Sequence, residues 1–171
     1  MSFNITSNST LRVAYGSYRN LISKNDREGV SNTTLARADS YALNNTIKSL
    51  RFAKYTDKKD PTETTGNAKT YSNKLKAFLD TYNNTFESSK TSLDSNLKQA
   101  ASSMKSLVKK YKNELEEVGI TIDKDGYLKK SGSSKIKTTK PFEDLFGKKS
   151  KFLQELDKIP NKIKNRVDIL I

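Results

Sequence analysis

The chain contains no cysteine, no histidine and no tryptophan. Without cysteine there is no disulfide, no thiolate metal site and no cysteine nucleophile. Without histidine the commonest metal ligand is missing, as is the side chain that titrates nearest neutral pH. A zinc site would have to be built from carboxylates alone, which is unusual. A serine nucleophile would need a lysine or a carboxylate as its base. Glycine and proline are scarce, seven and three in 171 residues, and no phosphate-cradling glycine loop or metal-ligand spacing can be traced. The expectation is therefore a non-enzyme, with no catalytic, cofactor-binding or metal-ligating residues. No stretch of 18 apolar residues occurs, so no membrane span is expected. The start, Met1 to Ser7, has no basic segment leading into an apolar run. No cleavable secretion signal is expected from it, and the chain is read as cytoplasmic or as exported by a signal-less route.

What is present is charge and a modest apolar fraction: 33% apolar residues, 30% charged, and a net charge of +13. That balance is lean for a thick core and predicts elongated helices with thin seams. Seven Phe and eight Tyr supply the large side chains. The positive excess sits at the two ends: residues 1–60 and residues 131–171 each carry ten basic and five acidic side chains. Lysine dominates, and no arginine-dense block occurs. Lysine suits bidentate reading of phosphate or guanine less well than arginine. A soluble lysine-rich surface accounts for the charge better than a nucleic-acid partner, which stands as the alternative reading. The richness in Asn, Thr and Lys points to an AT-rich bacterial source.

Along the chain, residues 1–30 read as an N-terminal arm and residues 31–171 as a helical domain. In the arm, Leu11, Val13 and Tyr15 alternate, which predicts a short strand or extended segment. Tyr18, Leu21 and Ile22 predict a turn or two of helix, and the stretch up to Gly29 a break. A helix is expected over about 34–54, with Leu35, Ala38, Ala42, Leu43, Ile47, Leu50 and Ala53 on one face and Thr33, Thr34 or Asp39 as its cap. Residues 56–66 read as an exposed connection. A second stripe runs Tyr71, Leu75, Phe78, Leu79, Tyr82, Phe86. A third runs Leu93, Leu97, Ala100, Met104, Leu107, Tyr111, Leu115, Val118, close to a coiled-coil seam and on the order of 39 Å long. Thr91-Ser92-Leu93-Asp94 has the form of a capping box and favours a break between the two.

Gly119 after Val118 predicts a left-handed helix end, with Ile120 folding back on Leu115. Glu114, Glu116 and Glu117 crowd the negative end of that helix and are expected to face Lys148, Lys149 and Lys151. Asp125-Gly126 between two β-prone arms predicts a hairpin near 119–130. Asp123-x-Asp125-Gly126 lacks the further ligands of a calcium loop. Residues 129–140 read as a flexible loop. Pro141 opens a short helix that Gly147 closes, and Pro160 is expected to kink or split the last helix near Ile159. The fold class is thus mainly α: an elongated antiparallel helical bundle, or coiled-coil-like hairpin, with one small β-hairpin.

Between residues 71 and 160 the order of features resembles the C-terminal region of flagellar filament-cap (hook-associated) proteins. Leu75-Lys76-Ala77-Phe78-Leu79-Asp80-Thr81-Tyr82-Asn83-Asn84 is similar to that family's "FVxxYN" helix. Val118-Gly119-Ile120-Thr121-Ile122-Asp123-Lys124-Asp125-Gly126-Tyr127-Leu128 is similar to its "GI…N-x-DGTL" hairpin, and Phe142 to Gly147 to the "V..LF" segment that follows. The resemblance implies a non-catalytic subunit that self-associates, acts on flagellin or other flagellar subunits, and leaves the cell through the flagellar export channel. Among the matching positions, Phe78, Tyr82, Asn83, Gly119, Ile120, Asp125, Gly126, Leu128 and Phe146 read as core and turn residues, joined by Leu115 from the helix cap. The chain is too short for the family's β-rich head domains, and residues 1–60 do not match its N-terminal coil. For an outside partner the candidate contact is the tail after Pro160: Ile163, Val167, Leu170 and Ile171 need a cover, and a terminus is a natural place to find one.

Overall fold

The computed structural model describes residues 5–53, 66–131 and 140–167. In chain order it contains α1 (Ile5–Tyr15), a 3-10 turn (Gly16–Ile22), α2 (Lys24–Arg27), α3 (Asn32–Arg51), α4 (Gly66–Lys90), α5 (Ser95–Lys110) and α6 (Lys112–Glu117). There follow strands β1 (Ile120–Ile122) and β2 (Leu128–Lys130), then α7 (Lys140–Phe146) and α8 (Lys151–Val167). The fold is mainly helical with one two-stranded antiparallel hairpin, as the apolar seams predict.

Helices α3, α4, α5 and α8 form a ring in which each packs on two neighbours. Cross-helix contacts set their directions. Asn32 reaches the Thr91 carbonyl and Thr46 meets Thr81, so α3 and α4 are antiparallel. Asn44 bonds Asp157 while Ala36 clusters with Ile163, so α3 and α8 are antiparallel. Leu97 joins that same cluster while Lys110 pairs with Glu155, which makes α5 and α8 antiparallel too. The arrangement is an up-and-down bundle.

The stripe of α3 is buried from Leu35 to Leu50. Its cap is Ser31, whose hydroxyl accepts the Thr34 N–H at 3.2 Å. Thr33, Thr34 and Asp39 do not fill that role, and Asp39 lies two turns in and fully buried. Between α4 and α5 the chain does break, but the cap is Asp94, whose carboxylate accepts the Asn96 N–H at 2.7 Å. Leu93 therefore leaves the seam and is 95% exposed, because its phase with Phe86 holds only if the helix is continuous. A second break at Tyr111 (φ −103°, ψ 25°) divides the expected third helix into α5 and α6. Gly119 ends α6 with φ +77°, and its N–H donates to the Glu116 carbonyl at 3.0 Å.

Several expectations give way to tertiary packing. The alternating Leu11, Val13 and Tyr15 lie in a helix, not a strand. Leu11, Ala14 and Tyr15 at helical spacing are buried against α3 and Ala77 of α4, while Val13 is 79% exposed. The described part of residues 1–30 is thus packed onto the bundle. Helix α8 runs through Pro160 instead of splitting near Ile159. Phe152, Leu153, Leu156 and Ile163 are buried along it, and that packing offsets the backbone bond the proline removes. The acidic end of α6 does not meet Lys148, Lys149 or Lys151. Among the described residues its ion pair is Lys112–Glu116 at 3.6 Å, one turn away on its own helix. The expected connection at 56–66 falls mainly, and the loop at 129–140 largely, outside the described residues.

Candidate functional site

Helix α4 presents Phe78, Tyr82 and Phe86 at four-residue intervals toward the hairpin and α7. The Phe78 ring packs edge-on against Phe146 at 5.5 Å and Phe152 at 6.4 Å between centroids, and Tyr82 and Phe86 stack at 6.2 Å. The hairpin pairs Ile120 with Lys130, Thr121 with Lys129 and Ile122 with Leu128. Its turn is organised by Asp123, not Asp125. The Asp123 Oδ1 accepts the N–H groups of Asp125, Gly126 and Tyr127 at 2.9–3.0 Å. Partial burial pushes this carboxyl up, but those N–H bonds and the Lys129 ammonium outweigh it and hold it below the usual carboxylate range. Gly126 has φ +109°, and a Cβ there would lie 3.0 Å from Lys105 Cγ and 3.2 Å from Phe86 Cζ. The backbone favours glycine, and a Cβ would press on the Lys105 and Phe86 side chains.

Two side chains fasten α4 to this turn. The Tyr82 hydroxyl donates to the Gly126 carbonyl at 3.3 Å, and burial, followed by the charge of Asp123, pushes its pKa up. The Asn83 amide donates to the Leu128 carbonyl at 2.8 Å, and its oxygen accepts the Leu128 N–H at 2.9 Å. At the rim Tyr127 sits edge-on to Phe86 at 5.0 Å and donates its hydroxyl to Glu87. The Lys90 ammonium lies over both rings. Burial and the Glu87 bond push the Tyr127 pKa up.

A second polar constellation joins the N-terminal segment to the bundle. Buried Asp39 receives a fork from Arg27, at 2.8 Å to Oδ1 and 2.7 Å to Oδ2, and the Tyr15 hydroxyl at 2.6 Å. Arg27 also donates to the Leu21 carbonyl at 3.0 Å, and Asn84 of α4 donates to the Tyr15 oxygen at 2.9 Å. Burial, then the Asp39 charge, pushes the Tyr15 pKa up. The bond to Asp39 pushes Arg27 up. Tyr15, Arg27 and Asn84 carried no functional signal in the sequence, because their side-chain partners lie 12 to 69 residues away. Asp39 stood only as a helix cap. An Asp-x-Asp-Gly turn was the one signal from which Asp123 could have been found.

Of the residues singled out, Phe78, Tyr82, Leu115, Gly119, Ile120, Gly126 and Phe146 are buried around the α4–hairpin joint. Asp125 stands exposed at the turn. Ile163 is 2% exposed, covered by Ala36 and Leu97 of the same chain, so it needs no outside partner. Val167 ends α8, and Leu170 and Ile171 lie outside the described residues. Among the described residues no three acidic side chains group closely enough to hold a metal, and no helix is long and apolar enough to cross a membrane. In both constellations the polar atoms bond to one another, so what the geometry accomplishes is the fastening of one chain segment to another.

The class defined by this geometry is a mainly helical up-and-down bundle with a β-hairpin packed on α4. Compared with known proteins, the chain matches no family model, no curated protein and no solved structure.

Proposed function

We propose that the chain is a non-catalytic structural protein that works by self-association or by contact with other subunits, in the manner its resemblance to the flagellar filament cap implies. One observation carries this reading. The positions of the resemblance are scattered over 69 residues of sequence from Phe78 to Phe146, yet they meet in one buried joint. Asn83 bonds Leu128, Tyr82 bonds Gly126, and Phe78 packs on Phe146. That these positions converge in one core supports reading them as a single structural unit and not as scattered coincidences. The partners that follow are a second copy, flagellin or another flagellar subunit, with export through the flagellar channel.

The nucleic-acid alternative, in which tyrosines of the Tyr/Lys segments Lys109-Lys110-Tyr111-Lys112 and Tyr127-Leu128-Lys129-Lys130 stack on bases while the lysines neutralise phosphates, finds less support. The Tyr111 hydroxyl donates to Glu155 and the Tyr127 hydroxyl to Glu87, which ties both rings of the Tyr/Lys segments to the protein itself.

Light scattering at low and high salt, together with co-sedimentation with flagellin filaments, tests the proposal. Because Ile163 belongs to the core, the tail is removed after Val167. A salt-resistant oligomer or capture by filaments is expected. A monomer in every condition that leaves filaments untouched would overturn the reading.

A further inference from the structure

The N-terminal segment, α1 through α2, is attached to a bundle that has its own core. That main core draws on residues from Leu43 to Leu156 and on no described residue of the segment. The segment packs in a separate cluster, where Leu11, Ala14, Tyr15 and Leu21 lie against Leu35, Ala38 and Ala42 of α3 and Ala77 of α4. The receiving face is therefore one leucine and three alanines, interleaved with hydrogen-bonding groups. Asn45 donates to the Ala14 carbonyl at 2.8 Å and Asn84 to the Tyr15 oxygen at 2.9 Å. Asp39 accepts from both Tyr15 and Arg27. Tyrosine and arginine are the residue types that most often anchor one protein surface on another. Uncovered, the receiving face would show water little apolar surface and three polar side chains. The segment's own face, with Leu11, Tyr15 and Leu21, needs a cover.

Asp39 decides what that cover can be. Its carboxylate is fully buried, so whatever lies on it has to bring a cation and hydrogen-bond donors. Tyr15 and Arg27 supply them, and a second copy of the chain carries the same pair at the same spacing. Residues 28–31 are the single connection between the segment and α3. Glu28 and Gly29 are exposed. The turn is held by the Glu28 N–H on the Asn25 carbonyl and the Val30 N–H on the Arg27 carbonyl, both at 3.3 Å. Gly29 has φ +78°, and a Cβ there would meet nothing within 4 Å. Rotation at this hinge swings the segment out as a unit and leaves the main core untouched.

We infer that two copies of the chain exchange their N-terminal segments, α1 through α2 of each docking on α3 and α4 of the other. Every contact of the closed chain outside the turn is remade in the pair, so the exchange costs association entropy and the bonds of the turn, and it is driven by concentration. The contact is the same patch on both copies and closes after two chains. This inference rests on the self-association proposed above and names the surface that carries it.

The full chain is followed by light scattering and native mass spectrometry over a concentration series, with circular dichroism melts to verify that each variant is folded. Gly29→Ala strains the closed turn through its positive φ and removes no side-chain contact. It should raise the association constant about fivefold or more, because an opened hinge escapes the left-handed strain. In a second arm, R27M and D39L chains are mixed with one of them isotopically labelled. Only an exchanged mixed pair brings an intact Arg27 onto an intact Asp39, so mixed dimers should exceed the statistical half of all dimers. A concentration-dependent dimer with both responses supports the exchange. A dimer that ignores Gly29→Ala and mixes statistically would overturn it and leave the assembly reading standing on another surface. A monomer at every concentration, Gly29→Ala included, would also overturn it, and the assembly reading would then be decided by co-sedimentation with filaments.

Discussion

Asn83 pairs with Leu128 as a neighbouring strand would: its amide donates to the Leu128 carbonyl at 2.8 Å and its oxygen accepts the Leu128 N–H at 2.9 Å. A helix thereby satisfies the open edge of a two-stranded hairpin, which alone would be marginal in water. Asn83→Ala leaves a donor and an acceptor at the joint unpaired, each costing about 1–3 kcal/mol. The urea midpoint should fall accordingly with the m-value unchanged, and Asn83→Asp, which keeps the acceptor, should fall less. An unchanged midpoint in Asn83→Ala would show that the joint does not hold the hairpin.

The turn at Gly126 has both a positive φ and close side-chain neighbours. Gly126→Ala combines backbone strain of about 1–3 kcal/mol with a contact at 3.0 Å to Lys105 and 3.2 Å to Phe86. We expect a lower melting temperature and, by NMR, shifted Phe86 and Tyr127 ring resonances. Wild-type stability in the variant would contradict the φ of +109° assigned to this residue.

The Arg27–Asp39 pair is the fastener of the N-terminal segment. Arg27→Met leaves a buried carboxylate without its cation, a loss of about 3–5 kcal/mol. Replacing both partners, Arg27→Met with Asp39→Leu, should restore part of that, so the double-mutant cycle will be strongly non-additive. Additive losses in chemical denaturation would mean the two side chains act independently.

Tyr15 and Tyr82 both have raised pKa values in the folded chain. Unfolded tyrosines ionise near pH ~10, while these two keep their protons in the folded state. Their contribution is therefore complete below pH ~10 and is lost as pH rises above it. The denaturation midpoint should drop in alkali, and Tyr82→Phe should make that drop shallower at a baseline cost of about 1 kcal/mol for the lost hydrogen bond. A wild-type midpoint that stays flat up to pH ~11 would refute the assignment.

Leu93 and Leu97 are four residues apart on one predicted stripe, yet one is 95% and the other 3% exposed. Leu93→Ser should change stability by less than about 0.5 kcal/mol. Leu97→Ala should cost about 2–5 kcal/mol. Thermal melts of the pair decide whether the helix truly breaks at Asp94.

What the sequence by itself determined is what depends on a few adjacent residues. The stripes of α3, α4 and α5, the glycine end of α6 at Gly119, the Asp-Gly hairpin and the Pro141–Gly147 helix are all written in spacings of two to four residues. Geometry within one or two turns decides such features. The tertiary structure decided the rest. It made Leu11–Tyr15 a helix because its inward face met α3 and α4, carried α8 through Pro160 because both sides of the proline are packed, and moved Leu93 into solvent when the helix before it ended. It buried Asp39 where Arg27 and Tyr15 converge, and it brought Lys110 of α5 onto Glu155 of α8. The physical reason is the same in each case. Burial and electrostatic sums depend on which surfaces touch, and contacts between residues 12 to 117 positions apart leave no period in the chain for a local pattern to report.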